Sequence, residues 1–273
     1  MATRNTTDRR RLPEVAERAW ATLASAPIVE PGGFDPSTLV GLPPPAQRLL
    51  RRALPTGTAL SSAVELSMEG RIRLGGRWLA FTADQLIRAG VGSVWSPVVG
   101  GRLVRFVGAD LLTDADARME FRLLGLLPVV RADGPDVRRS AQGRLAGETA
   151  VWLPQALTPQ LGARWTPVDD QRAIVTLDAA GHDVDMEVVV DDDGQLRRLG
   201  LDRWNSSATP PRFEPFGATI ESTFTASNGV RIAGSGTVGW DFGTDAEADG
   251  VFFRYRITAA TFSPPGRPPI RIA

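Results

Sequence analysis

Val64-Glu65-Leu66-Ser67-Met68-Glu69-Gly70-Arg71-Ile72-Arg73-Leu74 is the stretch that decides the fold class. Val64, Leu66, Met68, Ile72 and Leu74 share one parity, with Gly70 among them, and Glu65, Ser67, Glu69, Arg71 and Arg73 share the other. Successive side chains of a strand point to opposite faces, so this pattern predicts a long strand buried on one face and wet on the other, as in an antiparallel sheet. Gly75-Gly76 then turns the chain into a returning strand over residues 77–82, a hairpin.

Working outward, further strands are expected over 92–98, 102–107, 173–177, 183–190, 195–204, 220–226, 230–240 and 251–262. Residues 110–127 read equally as strand or helix. In the last strand Phe253, Tyr255, Ile257 and Ala259 form one face, and Arg254, Arg256 and Thr258 the other. Helical spacing marks residues 12–26, where Pro13 precedes Val15, Ala19, Trp20 and Leu23, and a short segment over 46–54. The main internal helix is expected over 138–157, with Ala141, Leu145, Thr149, Trp152 and Ala156 in register and Pro154 tightening or ending its last turn.

Residues 1–9 are polar and read as frayed, and the Pro/Gly-rich stretch 27–45 is the best linker candidate. The chain therefore divides into an N-terminal helix with its connector, residues 1–41, and a single sheet domain, residues 42–273. No βαβ rhythm is present, and no Gly-x-Gly-x-x-Gly run opens a helix, which excludes a dinucleotide-binding fold. The expected fold is α+β: a large curved antiparallel sheet of about eight to ten strands, a half-barrel, with helices covering its concave face. Such an arrangement either packs solid or leaves a cavity between sheet and helix.

The side-chain inventory removes much of catalysis. The 273 residues include no cysteine, no lysine, one histidine (His182) and one tyrosine (Tyr255). A thiolate nucleophile, a Schiff-base lysine, a phosphate-loop lysine and a multi-histidine or thiolate metal site are thereby impossible. No cofactor and no metal are expected. All 31 basic residues are arginine and are balanced by 31 acidic ones, so nucleic acid and anionic membranes are not expected partners. No apolar run resembles a signal-peptide core or spans a bilayer, and the cytoplasm is the default location.

What remains for chemistry is carboxylate, arginine, hydroxyl and indole. Arg144 and Glu148 lie four apart on the predicted helix and share a face. They form either a structural ion pair or, if they point into a cavity, a head-group site in which Glu148 could act as a general base. His182 beside Asp183 reads as a solvated turn residue. Gly234-Ser235-Gly236 lies within a strand and makes a poor nucleophile elbow. Asp191-Asp192-Asp193-Gly194 reads as a tight turn, lacking the spacing of a calcium loop, and Asp169-Asp170 as a turn or edge feature.

Seven tryptophans stand against the single tyrosine. Several of them, Trp20 and Trp204 included, sit on predicted helices or at the ends of predicted strands, and for all seven the alternatives are core packing and a pocket. Trp78, Trp95, Trp152, Trp165 and Trp240, with Tyr255, either pack the core or line a pocket for an amphipathic ligand. Arg203, beside Trp204, could add cation–π or carboxylate contacts.

The segment Gln142-Gly143-Arg144-Leu145-Ala146-Gly147-Glu148 through Trp152-Leu153-Pro154-Gln155-Ala156-Leu157, followed by Arg164-Trp165 and Asp169-Asp170-Gln171-Arg172-Ala173, resembles a bacterial family of unknown function. Members of that family carry an Arg-x-Leu-Ala-Glu-like helix and then a Pro-x-Ala-Leu segment. Leu42-Pro43, Pro45-Ala46-Gln47-Arg48, Glu69-Gly70-Arg71, Trp78, Phe81-Thr82-Ala83 and Trp95 follow the same order, so the likeness covers about residues 42–262. This chain departs in the helix, where Gly147 separates Leu145-Ala146 from Glu148 and the usual aromatic beside the arginine is missing. The resemblance implies no established activity. It implies a layout similar to the lipoprotein-carrier half-barrels, a curved sheet wrapped over helices around a hydrophobic hollow.

Three functional classes survive. The first is a non-catalytic carrier or sensor that holds a hydrophobic or amphipathic small molecule between sheet and helix. The second is a cofactor-independent cyclase, isomerase or hydratase of a hydrophobic metabolite, with Glu148 as acid/base and Arg144 or Tyr255 orienting it. The third is an interaction module without a small ligand. A pocket lined by Trp152 and the inward strand residues is the condition on which the first depends.

Overall fold

The alternation in the opening strand survives into three dimensions with two changes. In the computed structural model, which describes residues 13–25, 32–101 and 105–263, Val64, Leu66 and Met68 are buried as expected, while Leu74 at the far end is exposed. Glu65, expected to face water, is buried. Its cross-strand neighbour Leu86 lies beneath the N-terminal helix, so this end of the outer face is not wet. The expected frayed segment 1–9, the connector over 27–31 and residues 102–104 fall outside the described residues.

In chain order the elements are α1 (Glu14–Ala24), α2 (Pro44–Ala53), β1 (Ala63–Leu74), β2 (Arg77–Arg88), β3 (Gly92–Gly100), β4 (Arg105–Leu112), β5 (Ala117–Leu123) and β6 (Leu127–Asp133). There follow α3 (Pro135–Trp152), β7 (Arg164–Pro167), β8 (Arg172–Asp178), β9 (Asp183–Val190), β10 (Leu196–Asn205), β11 (Arg212–Thr225), β12 (Arg231–Trp240), α4 (Glu247–Gly250) and β13 (Val251–Ser263). The strands form one antiparallel sheet in the order β6-β5-β4-β3-β2-β1-β13-β12-β11-β10-β9-β8-β7. The two arms, β1–β6 and β7–β13, are each simple meanders that meet where β1 pairs β13. The sheet is curved and unclosed, and the α+β half-barrel class is the one expected.

The strand count is 13 among the described residues, above the eight to ten expected. The ambiguous region 110–127 contains the end of β4, all of β5 and the start of β6, whose hairpin exposes Leu124, Leu126 and Leu127 at its tip. Apolar residues at an exposed tip defeat a reading that expects polar turns. β7 is only four residues long. β11 begins at Arg212 rather than near Ile220, since Pro215 and Gly217 interrupt its apolar pattern. The hairpin partner of β1 likewise runs on to Arg88.

Helix α3 is the chain's only route from the β6 edge to the β7 edge, and it crosses the concave face to make it. It ends at Trp152, and Pro154–Leu157 continues as a 3-10 turn, the effect expected of Pro154. α2 and that turn fill the hollow of the β8–β9–β12 arm, where Val175, Met186 and Val188 point inward. α1 takes the opposite, convex face, where Ala16, Trp20 and Leu23 pack on Leu86, Val94 and Leu111.

A bulge corrects the reading of β13. Ser67 pairs with Ala259 but Met68 with Ile257, so Thr258 is an extra residue. Tyr255 and Ile257 stay inward, but the parity then flips. Ala259 is exposed, and Ala260 and Phe262 take the inner face instead.

Gly70 shows why the inner parity of β1 needs a gap. A Cβ there would fall against the Arg254 carbonyl and 2.9 Å from Phe81 Cε1. The vacated space holds the Phe81 ring, which stacks on Phe253 at 4.9 Å. Gly70→Ala is expected to destabilise the fold by about 1–3 kcal/mol, the usual range for overpacking a core. Denaturant unfolding of wild type and variant measures this directly, and an unchanged midpoint would contradict the packing described.

Candidate functional site

The face of α3 that looks into the half-barrel carries Ser140, Arg144, Gly147, Glu148, Val151 and Trp152, a stripe at helical spacing. Two glycines face β10, and the closer, Gly143, limits the height of the helix above the sheet. A Cβ on Gly143 would come within 3.0 Å of Arg203 Cγ, and one on Gly147 would lie 3.8 Å from Leu199. α3 therefore leans closely on β10 and stands off from the β12–β13 and β2–β5 side. What it leaves there is a cavity of about 580 Å³, well within the range of small-molecule sites.

Its floor is aromatic. Trp95 meets Phe81, Phe121 and Phe253 edge-on at 5.8, 6.4 and 5.9 Å. Trp152 of α3 stands edge-on to Tyr255 at 5.1 Å. Phe216 and Trp240 make a further T-shaped pair at 4.9 Å on the β11–β12 side. Leu74, Val129 and Val130, all partly exposed, lie at the rim with Ser206 and Ser207.

A charge cluster is set into this apolar wall. Arg144 pairs through Nη1 with Asp110 Oδ2 on β4, donates from Nη2 to the Asp110 carbonyl at 3.2 Å, and approaches Glu148 Oε1 at 3.7 Å. Glu148 also accepts from Gln85 Nε2 of β2 at 2.7 Å. The Arg144, Asp110 and Glu148 side chains are only 11%, 13% and 17% exposed. Burial pushes the Glu148 carboxyl up, and Asp110 adds to this, while Arg144, Arg203 and Gln85 oppose it without cancelling it. Burial works against the charge of Arg144, but Asp110 and Glu148 outweigh it and hold the guanidinium firmly protonated.

Arg203 of β10 is held differently. Its Nε donates to the Ser140 carbonyl at 3.0 Å and its Nη2 to Ser140 Oγ at 3.3 Å. Its guanidinium lies 4.6 Å from the centre of the Phe216 ring and 5.4 Å from that of Trp240. Burial, aided by the nearby Arg144 charge, brings it down to about 10. Tyr255 goes the other way, its hydroxyl pushed up by burial and by Glu221, so it stays protonated.

Seven of the residues singled out from sequence meet at this cavity: Trp95, Arg144, Glu148, Trp152, Arg203, Trp240 and Tyr255 all line it. Trp78 and Trp165 are not brought to it. Trp78 lies on the convex parity of β2 under Arg254 at 4.8 Å. Trp165 donates its indole N–H to the Leu157 carbonyl at 2.9 Å beside the 3-10 turn. Asp110 and Gln85 were not anticipated. Both sit at inward parity, Asp110 between outward Ala109 and Leu111, and Gln85 after inward Phe81 and Ala83. That parity was the available signal, once β2 was extended past residue 82 and β4 past residue 107.

The remaining polar candidates behave as turns. His182 is exposed, and its carbonyl accepts from Ala179 N–H. Asp191 closes its own turn by accepting from Gln195 N–H and Arg197. Asp169 accepts from Gln171 and Arg172 N–H. Among the described residues no cluster of histidine or carboxylate side chains could hold a metal ion, and no helix is long and apolar enough to cross a membrane.

Fold and site thus define an open antiparallel half-barrel enclosing an apolar hollow with a buried ionic wall. The chain belongs to the Family of unknown function (DUF6544), which it matches over residues 32–252, in keeping with the motif order read from its sequence. Among solved structures it is similar to a LolA superfamily protein from Nitrosomonas europaea, at 9% identity over 80% of this chain and 92% of the other, with a TM-score of 0.43. A DUF1329 family protein from Desulfovibrio piger is 12% identical over 74% and 86%, with a TM-score of 0.40. A Vibrio parahaemolyticus domain named for outer membrane lipoprotein sorting is 9% identical over 74% and 86%, with a TM-score of 0.39. No curated protein matches the chain.

Two variants test the cluster. Asp110→Asn leaves Arg144 without its principal counter-charge and is expected to cost about 3–5 kcal/mol, the range for breaking a buried pair on one side. Equilibrium unfolding reads the loss. Glu148→Gln has a different signature. Folding raises Glu148 above its ordinary value, so the folded chain binds more protons than the unfolded one between those two values. Stability then falls as pH rises through that interval. The melting temperature of the Gln variant relative to wild type should therefore climb as pH rises upward from the ordinary glutamate range. A difference that is flat or falls across that interval would contradict the raised carboxyl.

Proposed function

We propose that this protein binds a hydrophobic or amphipathic small molecule in the hollow between α3 and the concave face of the sheet. The observation that carries the reading is the cavity itself, about 580 Å³, floored by Trp95, Phe121 and Phe253 and roofed by Val151 and Trp152. A hollow walled by aromatics and aliphatics gains roughly 25 cal/mol for each Å² of apolar ligand surface it removes from water. The ionic wall of α3 and β4 gives such a molecule a polar end to orient against. The pocket lined by Trp152, on which the carrier class depended, is present.

A second reading, cofactor-independent acid–base catalysis, is favoured by one observation: Glu148 is held toward its neutral form inside the same hollow. A protonated carboxyl there can deliver a proton to a bound ligand and recover it, with Tyr255 as a further hydroxyl donor. The two readings part at Glu148→Gln. A binding protein keeps its ligand and its affinity in that variant, whereas an enzyme loses turnover by about 10²–10⁴-fold while still binding.

The direct test is to purify the protein, denature it, and compare the released small molecules with a mock purification by mass spectrometry. A stoichiometric apolar or amphipathic compound is the expected result. Val238→Trp, which places an indole into the β12 wall of the hollow, is expected to reduce the amount recovered by more than half. Recovery of nothing, together with no change in tryptophan fluorescence on adding apolar probes, would overturn the reading.

A further inference from the structure

Two arginines line the hollow, and they are not equivalent. Arg144 is committed: Asp110 and Glu148 flank it, and its Nη2 is bonded to the Asp110 carbonyl. Arg203 has no ion pair among the described residues. It is fixed from one side by Ser140, through Nε and Nη2, and lies near the Phe216 and Trp240 rings, 4.6 and 5.4 Å from their centres. Its remaining N–H groups are left for whatever occupies the hollow. A guanidinium taken out of water without a contacting anion is costly, and an anion arriving at that point recovers much of the cost.

Resting on the cavity reading above, we propose that the ligand is a single-headed carboxylic amphiphile, such as a long-chain fatty acid, whose carboxylate pairs with Arg203 while its apolar body lies along the aromatic floor. The charge balance of the wall supports a monoanion. Arg144 is engaged by Asp110 and approached by Glu148 at 3.7 Å, which leaves Arg203 as the guanidinium of the wall without a carboxylate partner among the described residues. The wall therefore has room for about one negative charge. A dianionic phosphate head would set its second charge beside Asp110, with no second unengaged guanidinium to receive it. The two bonds from Arg203 to Ser140, made through Nε and Nη2, also fix the guanidinium before any ligand arrives. A planar carboxylate is the partner that such a preset fork receives through two parallel N–H···O bonds.

The experiment is a titration of the full-length protein with palmitate, hexadecanol, methyl palmitate and hexadecyl phosphate, read by quenching of tryptophan fluorescence and repeated by calorimetry. Palmitate is expected to bind at least tenfold more tightly than hexadecanol or methyl palmitate, and more tightly than hexadecyl phosphate. Arg203→Gln is expected to weaken palmitate tenfold or more and leave hexadecanol within about twofold. Arg203→Lys, which keeps the charge but loses the fork, should fall between, and circular dichroism confirms that both variants fold. If all four amphiphiles bind wild type equally, or if Arg203→Gln weakens palmitate and hexadecanol alike, the carboxylate assignment is wrong and the cavity reading stands. If none of the four binds and Val238→Trp changes nothing, the cavity reading itself fails. Should the variants not fold, the ranking of the four ligands on wild type still decides between these outcomes.

Discussion

The crossing of α3 from one edge of the sheet to the other is the constraint on which the architecture depends. The two meanders finish at opposite edges, β6 and β7, and residues 134–163 alone connect them. Thirteen strands at about 4.8 Å spacing would span about 58 Å if laid flat. Eighteen helical residues reach about 27 Å, and the two 3-10 turns that follow, seven residues in all, add about 14 Å more. The sheet has to curl toward α3 for the chain to close the distance, and a helix about 10–12 Å across cannot then fill the trough it crosses. α2 and the 3-10 turns plug one end of the trough; the end over β1–β5 and β11–β13 keeps the hollow.

How α3 is tied down follows from that geometry. On the β10 side Gly143 and Gly147 remove side chains and let Leu199, Leu201 and Arg203 approach the helix. On the β2–β4 side the gap is too wide for such contact, and long polar side chains bridge it: Arg144 to Asp110 and Glu148 to Gln85. Two different kinds of residue on one helix therefore do two different jobs. Gly147, which separates Leu145-Ala146 from Glu148, faces Leu199 and Leu201 at a distance where a Cβ would already make van der Waals contact.

Much of this could be read from sequence, and the failures have physical causes. The half-barrel was legible because β1 is amphipathic over its full length and few helices interrupt the strands. β5 and β6 were not, because their hairpin exposes Leu124, Leu126 and Leu127 where turn chemistry normally places polar residues. The inner face of β13 was readable only as far as Ile257, since a bulge leaves no mark in the residue pattern. For the site, Arg144 and Glu148 announced themselves by their spacing and the tryptophans by their size. Asp110 and Gln85 were hidden because each interrupts an apolar inner face, and a polar residue at an inward position looks like the end of a strand until its partner is known. Trp78 and Trp165 carry the same side chain as Trp95 and Trp152, so only the parity of their strands tells them apart.

The same interruptions bear on why the hollow exists at all. A chain that needed only to weld α3 to β4 could do so with apolar side chains, since replacing a buried ion pair by well-packed hydrophobic residues is often neutral or stabilising by about 1–4 kcal/mol. Here the costly alternative is built, with Asp110, Arg144, Glu148 and Arg203 gathered at the α3 side of the cavity and most of the remaining lining side chains apolar. Polar groups that are expensive for folding and grouped on one side of an open space are arranged as a recognition surface would be. The rim points the same way, because Leu74, Val129 and Val130 line the same hollow as the aromatic floor and are exposed at the surface. Under the proposed reading, a bound molecule would set its body against Trp95 and Phe253 and its end against the guanidinium of Arg203, and an amphiphile has the two kinds of surface needed to satisfy both.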